Sequence, residues 1–393
     1  MNILYIFIIP IIPYQGGVQR VTETLSREFM KRGHGVTFLT YDFKELVDSP
    51  DIICPQRYVE LNNRSDDEVR KDLDAIVSEF GITHVINQGC NEQTNRIVRL
   101  FPDSLKSKVV YCYHVIPFGY MSYTRWQIKG APTENIRQKL FKSVSLLFPC
   151  GFKSFFSFIE KKSLRQGFRQ AAKFCFISDK YFKNVLDNMP DASKDKLVAI
   201  NNPNSYCIQD HLLGYDEREN AVVWVGRLEN SQKNIFGFLK MWKTFSDSNP
   251  GWKAYVVGEG SDLENVRTYI ANHNSSNVFL EGSQSDVMSY YKKCKFLVVT
   301  SFGESWGMII TEAMTCGCIP AVMNTFPTLA DIVDDRQNGL ICPTDENEMA
   351  ALLSNTVKDT ALCNKLSANA VEKVKKFDVS IIASQWETLL ESL

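Results

Sequence analysis

Two carboxylates, Glu304 and Glu312, stand on either side of Ser305-Trp306-Gly307-Met308-Ile309-Ile310-Thr311, with seven residues between them. Upstream, the apolar run Phe296-Leu297-Val298-Val299 reads as a buried strand. Downstream of Gly307, Met308, Ile309, Ala313 and Met314 open a helical pattern. The stretch is therefore strand, short polar loop and helix, with Glu304 in the loop and Glu312 in the helix. A helix start carries free N–H groups and a positive dipole end, which suits a phosphate. An anion site flanked by two carboxylates that accept hydroxyl protons outlines a nucleotide sugar.

Cations are available to complete such a site. Gly226-Arg227-Leu228-Glu229, followed by Lys233-Asn234, comes directly after the strand pattern Ala221-Val222-Val223-Trp224-Val225. Arg227 at the strand tip and Lys233 near the next helix start can hold a diphosphate and neutralise charge as it leaves. Loop cations alone are usually only solvated; the company of Glu304 and Glu312 gives these two their weight. His114 ends the strand pattern Val109-Val110-Tyr111-Cys112-Tyr113, and Gly16-Gly17 follows the first strand. A lone strand-end histidine is more often structural.

These residues need strands and helices to carry them. The apolar start through Ile12 has no basic leader and is interrupted by Pro10 and Pro13, so it reads as a first strand rather than a signal peptide. Gly16-Gly17 then makes a turn, and Val18, Val21, Leu25 and Phe29 repeat at helical spacing up to Gly33. Further strands are expected at 36–40, 84–87, 109–114, 173–178 and 197–200, with helices at 66–80 and from Ser178 to Leu186. Asn201-Asn202-Pro203-Asn204 is a strong breaker and the expected linker. A second strand–helix alternation starts at Ala221. The expected architecture is α/β, two doubly wound parallel sheets leaving a cleft, with domains 1–204 and 205–376 and a closing helix at 377–393.

Composition is consistent with this. The chain has 393 residues, 44% hydrophobic, enough for two cores, and a formal net charge of −1, which argues against nucleic acid as a partner. Eleven cysteines are scattered without metal-ligand or disulfide spacing and suit buried thiols in a reducing cytosol. No run approaches a membrane span. Residues 134–173 stand apart, because Arg137, Lys161, Lys162, Arg165 and Arg169 interleave with Phe155, Phe158 and Phe168 against few acids. This is either helix packing with solvated lysines or a basic–aromatic face for an anionic membrane or lipid-linked acceptor.

Taken together, Gly16-Gly17-Val18-Gln19-Arg20, Gly33-His34, Val225-Gly226-Arg227-Leu228, Lys233-Asn234, Gly258-Glu259-Gly260, the Glu304/Glu312 pair and Asn338-Gly339-Leu340-Ile341 resemble glycosyltransferase family 4. These are retaining enzymes of the GT-B fold, and the likeness extends to bacterial surface-polysaccharide glycosyltransferases. It implies two Rossmann-like domains, the first for the acceptor and the second for the donor, and a C-terminal helix with Trp386 returning to the first. It implies a nucleotide-diphosphate sugar as substrate, no cofactor and no metal. Arg227, Lys233, Gly307 and Met308 would meet the diphosphate, Glu312 the ribose and Glu304 the sugar hydroxyls. Gly16 and Gly17 would let the backbone approach phosphate or acceptor, and His114 would lie near the reacting sugar. The two glutamates are then not a hydrolase acid/nucleophile pair. Asp72-Leu73-Asp74 spells a metal-binding DxD but falls on a charged helix face. A nucleotide-sugar epimerase would need further acid/base groups around the sugar. A non-catalytic binding protein would not need a complete diphosphate site. The expected location is cytoplasmic, at the inner face of the membrane if 134–173 binds lipid.

Overall fold

The computed structural model describes residues 1–12, 16–42, 53–118, 149–208, 212–273 and 277–393. Residues 134–148 of the basic–aromatic stretch and Tyr14 and Gln15 of the glycine turn lie outside the described residues. The chain divides into two compact units, one holding Met1–Met121, Cys150–Ser205 and Phe377–Leu393 and the other Tyr206–Lys376.

The first unit is a seven-stranded sheet of β1 (Asn2–Ile6), β2 (Gly35–Thr40), β3 (Gln56–Tyr58), β4 (His84–Asn87), β5 (Val109–Tyr113), β6 (Lys173–Phe176) and β7 (Leu197–Ala199). Its order is β3-β2-β1-β4-β5-β6-β7 and every pair is parallel. β1 ends at Ile6, earlier than the run to Ile12 suggests; Phe7 N still donates to Leu39 O at 3.0 Å before the chain leaves the sheet ahead of Pro10. The helix Gly17–Lys31 follows. Gly16 there is extended, with φ 179°, a conformation open to any residue. Helix Asp66–Phe80 is closed by a Ser65/Glu68 capping box and a left-handed Gly81, and Asp72 of the DxD triplet is ion-paired to Arg64.

The chain's last helix, Val379–Glu391, lies on the helix Gly17–Lys31. Arg32 Nη1 donates to Glu387 Oε2 at 2.6 Å and to Ser384 Oγ at 2.9 Å, and His34 Nε2 lies 2.8 Å from Glu387 Oε1. Ile382, Trp386 and Leu390 supply the buried face.

The second unit is a six-stranded parallel sheet of β8 (Glu219–Val225), β9 (Lys253–Val257), β10 (Val278–Gly282), β11 (Cys294–Val299), β12 (Ile319–Met323) and β13 (Leu340–Cys342). The order is β10-β9-β8-β11-β12-β13. β11 and β12 are buried along their whole length, as strands covered on both faces must be, and they are apolar apart from Lys295, whose Nζ donates to Asn220 Oδ1 at 2.6 Å. The core under helix Ile235–Ser248 is aromatic: Trp242 and Phe245 lie 5.5 Å apart, and Phe245 meets Trp252 edge-on at 5.3 Å. Burying each such side chain stabilises by about 1.5–3 kcal/mol.

Both sheets turn back on themselves at one place, between β1 and β4 in the first and between β8 and β11 in the second. At such a point the loops leaving adjacent strands diverge and open a crevice at the strands' carboxyl ends, where open α/β sheets bind ligands.

Candidate functional site

In the second unit the two loops at this point are those after β8 and β11, and they carry the predicted residues. Lys233 ends the short helix Asn230–Lys233, and Glu304 follows β11. Lys233 Nζ donates to Glu304 Oε1 at 2.6 Å, with the side chains 17% and 10% exposed. Ser301 Oγ donates to the same oxygen at 2.7 Å. Oε1 is thus engaged twice, a satisfied arrangement for a carboxylate so little exposed. Both bonds use Oε1, and among the described residues Oε2 is left for a ligand hydroxyl.

The placement of Lys233 follows from Asn234, which has φ 52° in the left-handed region that Asn tolerates better than most residues. Its Nδ2 donates to Thr300 O at 3.1 Å and its Oδ1 accepts from Gly237 N at 3.2 Å, capping helix Ile235–Ser248. Thr300 Oγ1 answers by donating to Asn234 O at 3.0 Å, and Phe302 N donates to Gln232 O at 2.9 Å. With the longer bond from Thr300 Oγ1 to Lys233 O at 3.4 Å, four hydrogen bonds stitch the two loops together besides the ion pair.

Arg227 is 68% exposed; Nη1 lies 3.2 Å from Glu229 Oε2 and Nη2 donates to Gln232 Oε1 at 3.1 Å. The loop beneath it rests on glycines. A Cβ on Gly258, whose φ is +137°, would stand 1.9 Å from Gly226 O, and one on Gly260 would stand 2.4 Å from Leu228 O. Gly226 N donates to Val257 O and Leu228 N to Glu259 O, so the β8 and β9 loops lie backbone against backbone.

Gly307 has φ 86° and is the N-cap of the helix Met308–Thr315, to which it brings no side-chain acceptor. Thr328 Oγ1 donates to Ser305 O at 2.9 Å and Thr325 Oγ1 to Ser301 O at 2.7 Å, pinning the loop from the β12 side. Glu312 lies inside the helix and is 1% exposed, against 8% for Glu304. Ser301, Asn234 and Thr300 were not among the predicted site residues. Only position marks them in the sequence: Thr300 and Ser301 end a buried strand, and Asn234 precedes an apolar helix.

The remaining predicted residues belong to the first unit. Gly16 and Gly17 start the helix Gly17–Lys31, where Arg20 N donates to Gly16 O at 3.0 Å. His114 follows β5; both ring nitrogens are buried and make no hydrogen bond among the described residues. Burial pushes its imidazole down to about 4, so it is neutral at ordinary pH. Among the described residues no group of three or more His, Cys, Asp and Glu side chains is gathered as metal ligands, and no helix is long and apolar enough to cross a membrane.

Two Rossmann-like parallel-sheet domains of seven and six strands define the class of fold, and it is the GT-B fold of solved proteins. Anabaena HepE, solved in complex with UDP and glucose, superposes with a TM-score of 0.71 at 15% identity, covering 100% of each chain. A glycosyltransferase from Rickettsia africae gives 0.67 at 14% identity, over 100% of this chain and 98% of that one. In sequence, residues 211–373 match the family described as Glycosyl transferases group 1. An uncharacterized glycosyltransferase of Methanocaldococcus jannaschii is 30% identical over 201 residues, 50% of this chain and 53% of its own. The Campylobacter jejuni alpha-1,4-N-acetyl-D-galactosaminyltransferase, named for a glycan on PP-undecaprenol, is 25% identical over 176 residues, 44% of this chain and 48% of its own. The chain spans about half the length of the curated relatives it matches.

Proposed function

We propose that this chain is a retaining, metal-independent glycosyltransferase of family 4 that moves a sugar from a nucleotide-diphosphate sugar to a hydroxyl of a glycan or lipid-linked glycan. The observation that carries the reading is the Lys233–Glu304 pair, 2.6 Å apart where the strand order reverses, inside the matched residues 211–373. Lys233 and Arg227 bind the donor diphosphate together with the N–H groups that follow Gly307. Glu304 accepts from sugar hydroxyls through Oε2, and Glu312 from the ribose. His114 is a neutral hydrogen-bonding group near the reacting sugar, and Gly16 and Gly17 present helix N–H groups to phosphate or acceptor. The acceptor oxygen bonds to the anomeric carbon on the face from which the diphosphate leaves. The C–O bond to the diphosphate breaks, and the hydroxyl proton passes to the departing phosphate oxygen. Lys233, Arg227 and the helix end take up the charge that a metal would otherwise neutralise.

Surface-polysaccharide assembly is the role we assign, with a lipid-linked acceptor of the kind the Campylobacter relative is named for. In keeping with it, we place the chain in the cytoplasm at the inner face of the membrane. Phe158, 67% exposed, and Ile159 stand beside Lys161, Lys162 and Arg169, a face suited to anionic headgroups. Vesicle co-sedimentation with and without phosphatidylglycerol tests that placement.

UDP, bound in the Anabaena protein, is the first nucleotide to try. A panel of nucleotide sugars is screened by thermal shift, and release of nucleoside diphosphate is then followed in wild type, Lys233→Ala and Glu304→Ala. Each variant is expected to lose on the order of 100-fold or more in kcat/KM. Undiminished turnover in both refutes the assignment.

A further inference from the structure

The loop that leaves β5 carries His114 and, further on, Phe118, a residue with φ +58° despite its aromatic side chain. An L-residue of this size is held in the left-handed region only by its surroundings. Among the described residues its N–H is answered by one carboxylate. Glu160, on the helix Pro149–Gln170, accepts from Phe118 N at 2.8 Å and from Tyr113 Oη at 2.7 Å, both through Oε1. A single oxygen thus ties the residue before His114 to Phe118, four residues after it. Asn184 adds a second fastening by donating from Nδ2 to Pro117 O at 2.8 Å. Glu160 Oε2 is buried and, like both nitrogens of His114, has no hydrogen-bond partner among the described residues.

We propose that Glu160 is a positioning residue that sets the His114–Phe118 loop and so fixes the imidazole for transfer; this rests on the reading of His114 given above. Glu160 stands among the lysines and arginines of the basic stretch, yet it points inward and away from them. Its carboxylate is costly to bury, as the upward push of burial on its protonation shows, and is retained for the two bonds it accepts. Loss of the strap lets Phe118 relax toward ordinary backbone angles and releases the imidazole into water.

The full chain is compared as wild type, Glu160→Ala, Glu160→Gln and Tyr113→Phe. The amide oxygen of Gln accepts the same two bonds, so Glu160→Gln is expected to keep kcat within about threefold, while Glu160→Ala loses about 10–100-fold. Donor KM stays within about twofold in both, because Lys233, Arg227 and Glu304 are untouched. Tyr113→Phe, which keeps the buried carboxylate and one of its bonds, falls between and covers the case in which Glu160→Ala does not fold. Independently of turnover, the His114 imidazole is titrated by NMR. Its midpoint is expected to rise from about 4 toward the ordinary 6.5 in Glu160→Ala and to stay low in Glu160→Gln. Wild-type kcat with an unmoved His114 midpoint in both Glu160→Ala and Tyr113→Phe overturns the proposal. If wild type turns over no nucleotide sugar, the functional reading fails, and the NMR titration alone decides whether Glu160 positions the loop.

Discussion

Arg218 is 4% exposed and reaches no carboxylate among the described residues; its guanidinium is spent on backbone carbonyls. Nη1 donates to Tyr291 O at 3.1 Å and Cys294 O at 3.3 Å, Nη2 to Leu213 O at 3.0 Å and to Cys316 O, and Nε to Leu213 O at 3.3 Å. Cys294 and Cys316 are the C-caps of helices Met288–Lys293 and Met308–Thr315, so the cation sits where two helix dipoles end negative. One of those helices carries Glu312, and Cys294 begins the strand that leads to Glu304. Arg218→Ala removes all five bonds. Leu213 O is partly exposed and recovers water, whereas the carbonyls of Tyr291, Cys294 and Cys316 each lose a donor in buried surroundings. At about 1–1.5 kcal/mol for each, the expected loss is about 3–4 kcal/mol. Arg218→Lys keeps the charge but not the planar fork and recovers about half of that. The measurement is urea unfolding followed by tryptophan fluorescence, since Trp224, Trp242, Trp252 and Trp306 all lie in the second unit. A loss under about 1 kcal/mol in Arg218→Ala, or equal losses in Ala and Lys, refutes the carbonyl-clamp argument.

Two further outcomes test the site's supports. Gly258→Ala places a methyl group 1.9 Å from Gly226 O at φ +137° and is expected to cost about 3 kcal/mol or more and to abolish thermal stabilisation by UDP. Gly251→Ala, at φ +92° with nothing within 4 Å, is the control at about 1 kcal/mol, and a control as damaging as the test would remove the steric explanation. His114 sets a pH dependence: its folded-state value is about 4 against an ordinary 6.5, so the unfolded chain takes up the proton first as pH falls. The stability that the neutral ring contributes is complete above 6.5 and is lost as pH falls toward 4. Allowing for the exposed part of the residue, the effect is on the order of 2 kcal/mol. Melting temperatures of wild type and His114→Gln across this range should diverge with the wild type falling further; parallel curves refute the shift.

What could be read in advance divides along a physical line. Period and punctuation placed nearly every strand, because a strand covered on both faces is a near-continuous apolar run, as β12 is throughout and β11 is but for Lys295. The helices Glu92–Leu100, Glu346–Thr356 and Thr360–Val374 are not among the expected elements, although each has a side-chain cap, Asn91, Asp345 or Asp359. Their caps are single polar residues among other polar residues, a weak signal even where Pro102 follows the first of these helices. At the site, Glu304 and Lys233 are conspicuous as charges on loops, and the geometry joins them at 2.6 Å. Ser301, Asn234 and Thr300 are as close to the chemistry but are ordinary residue types, legible only once β8 and β11 are known to be neighbours. Glu160 is the sharpest case. By composition it is the acid that dilutes a basic stretch, and nothing in its spacing singles it out. Its meaning comes from Phe118, 42 residues away, whose left-handed backbone needs an acceptor at that point. A carboxylate that answers a strained loop is written in the fold, and only the fold brings the two together.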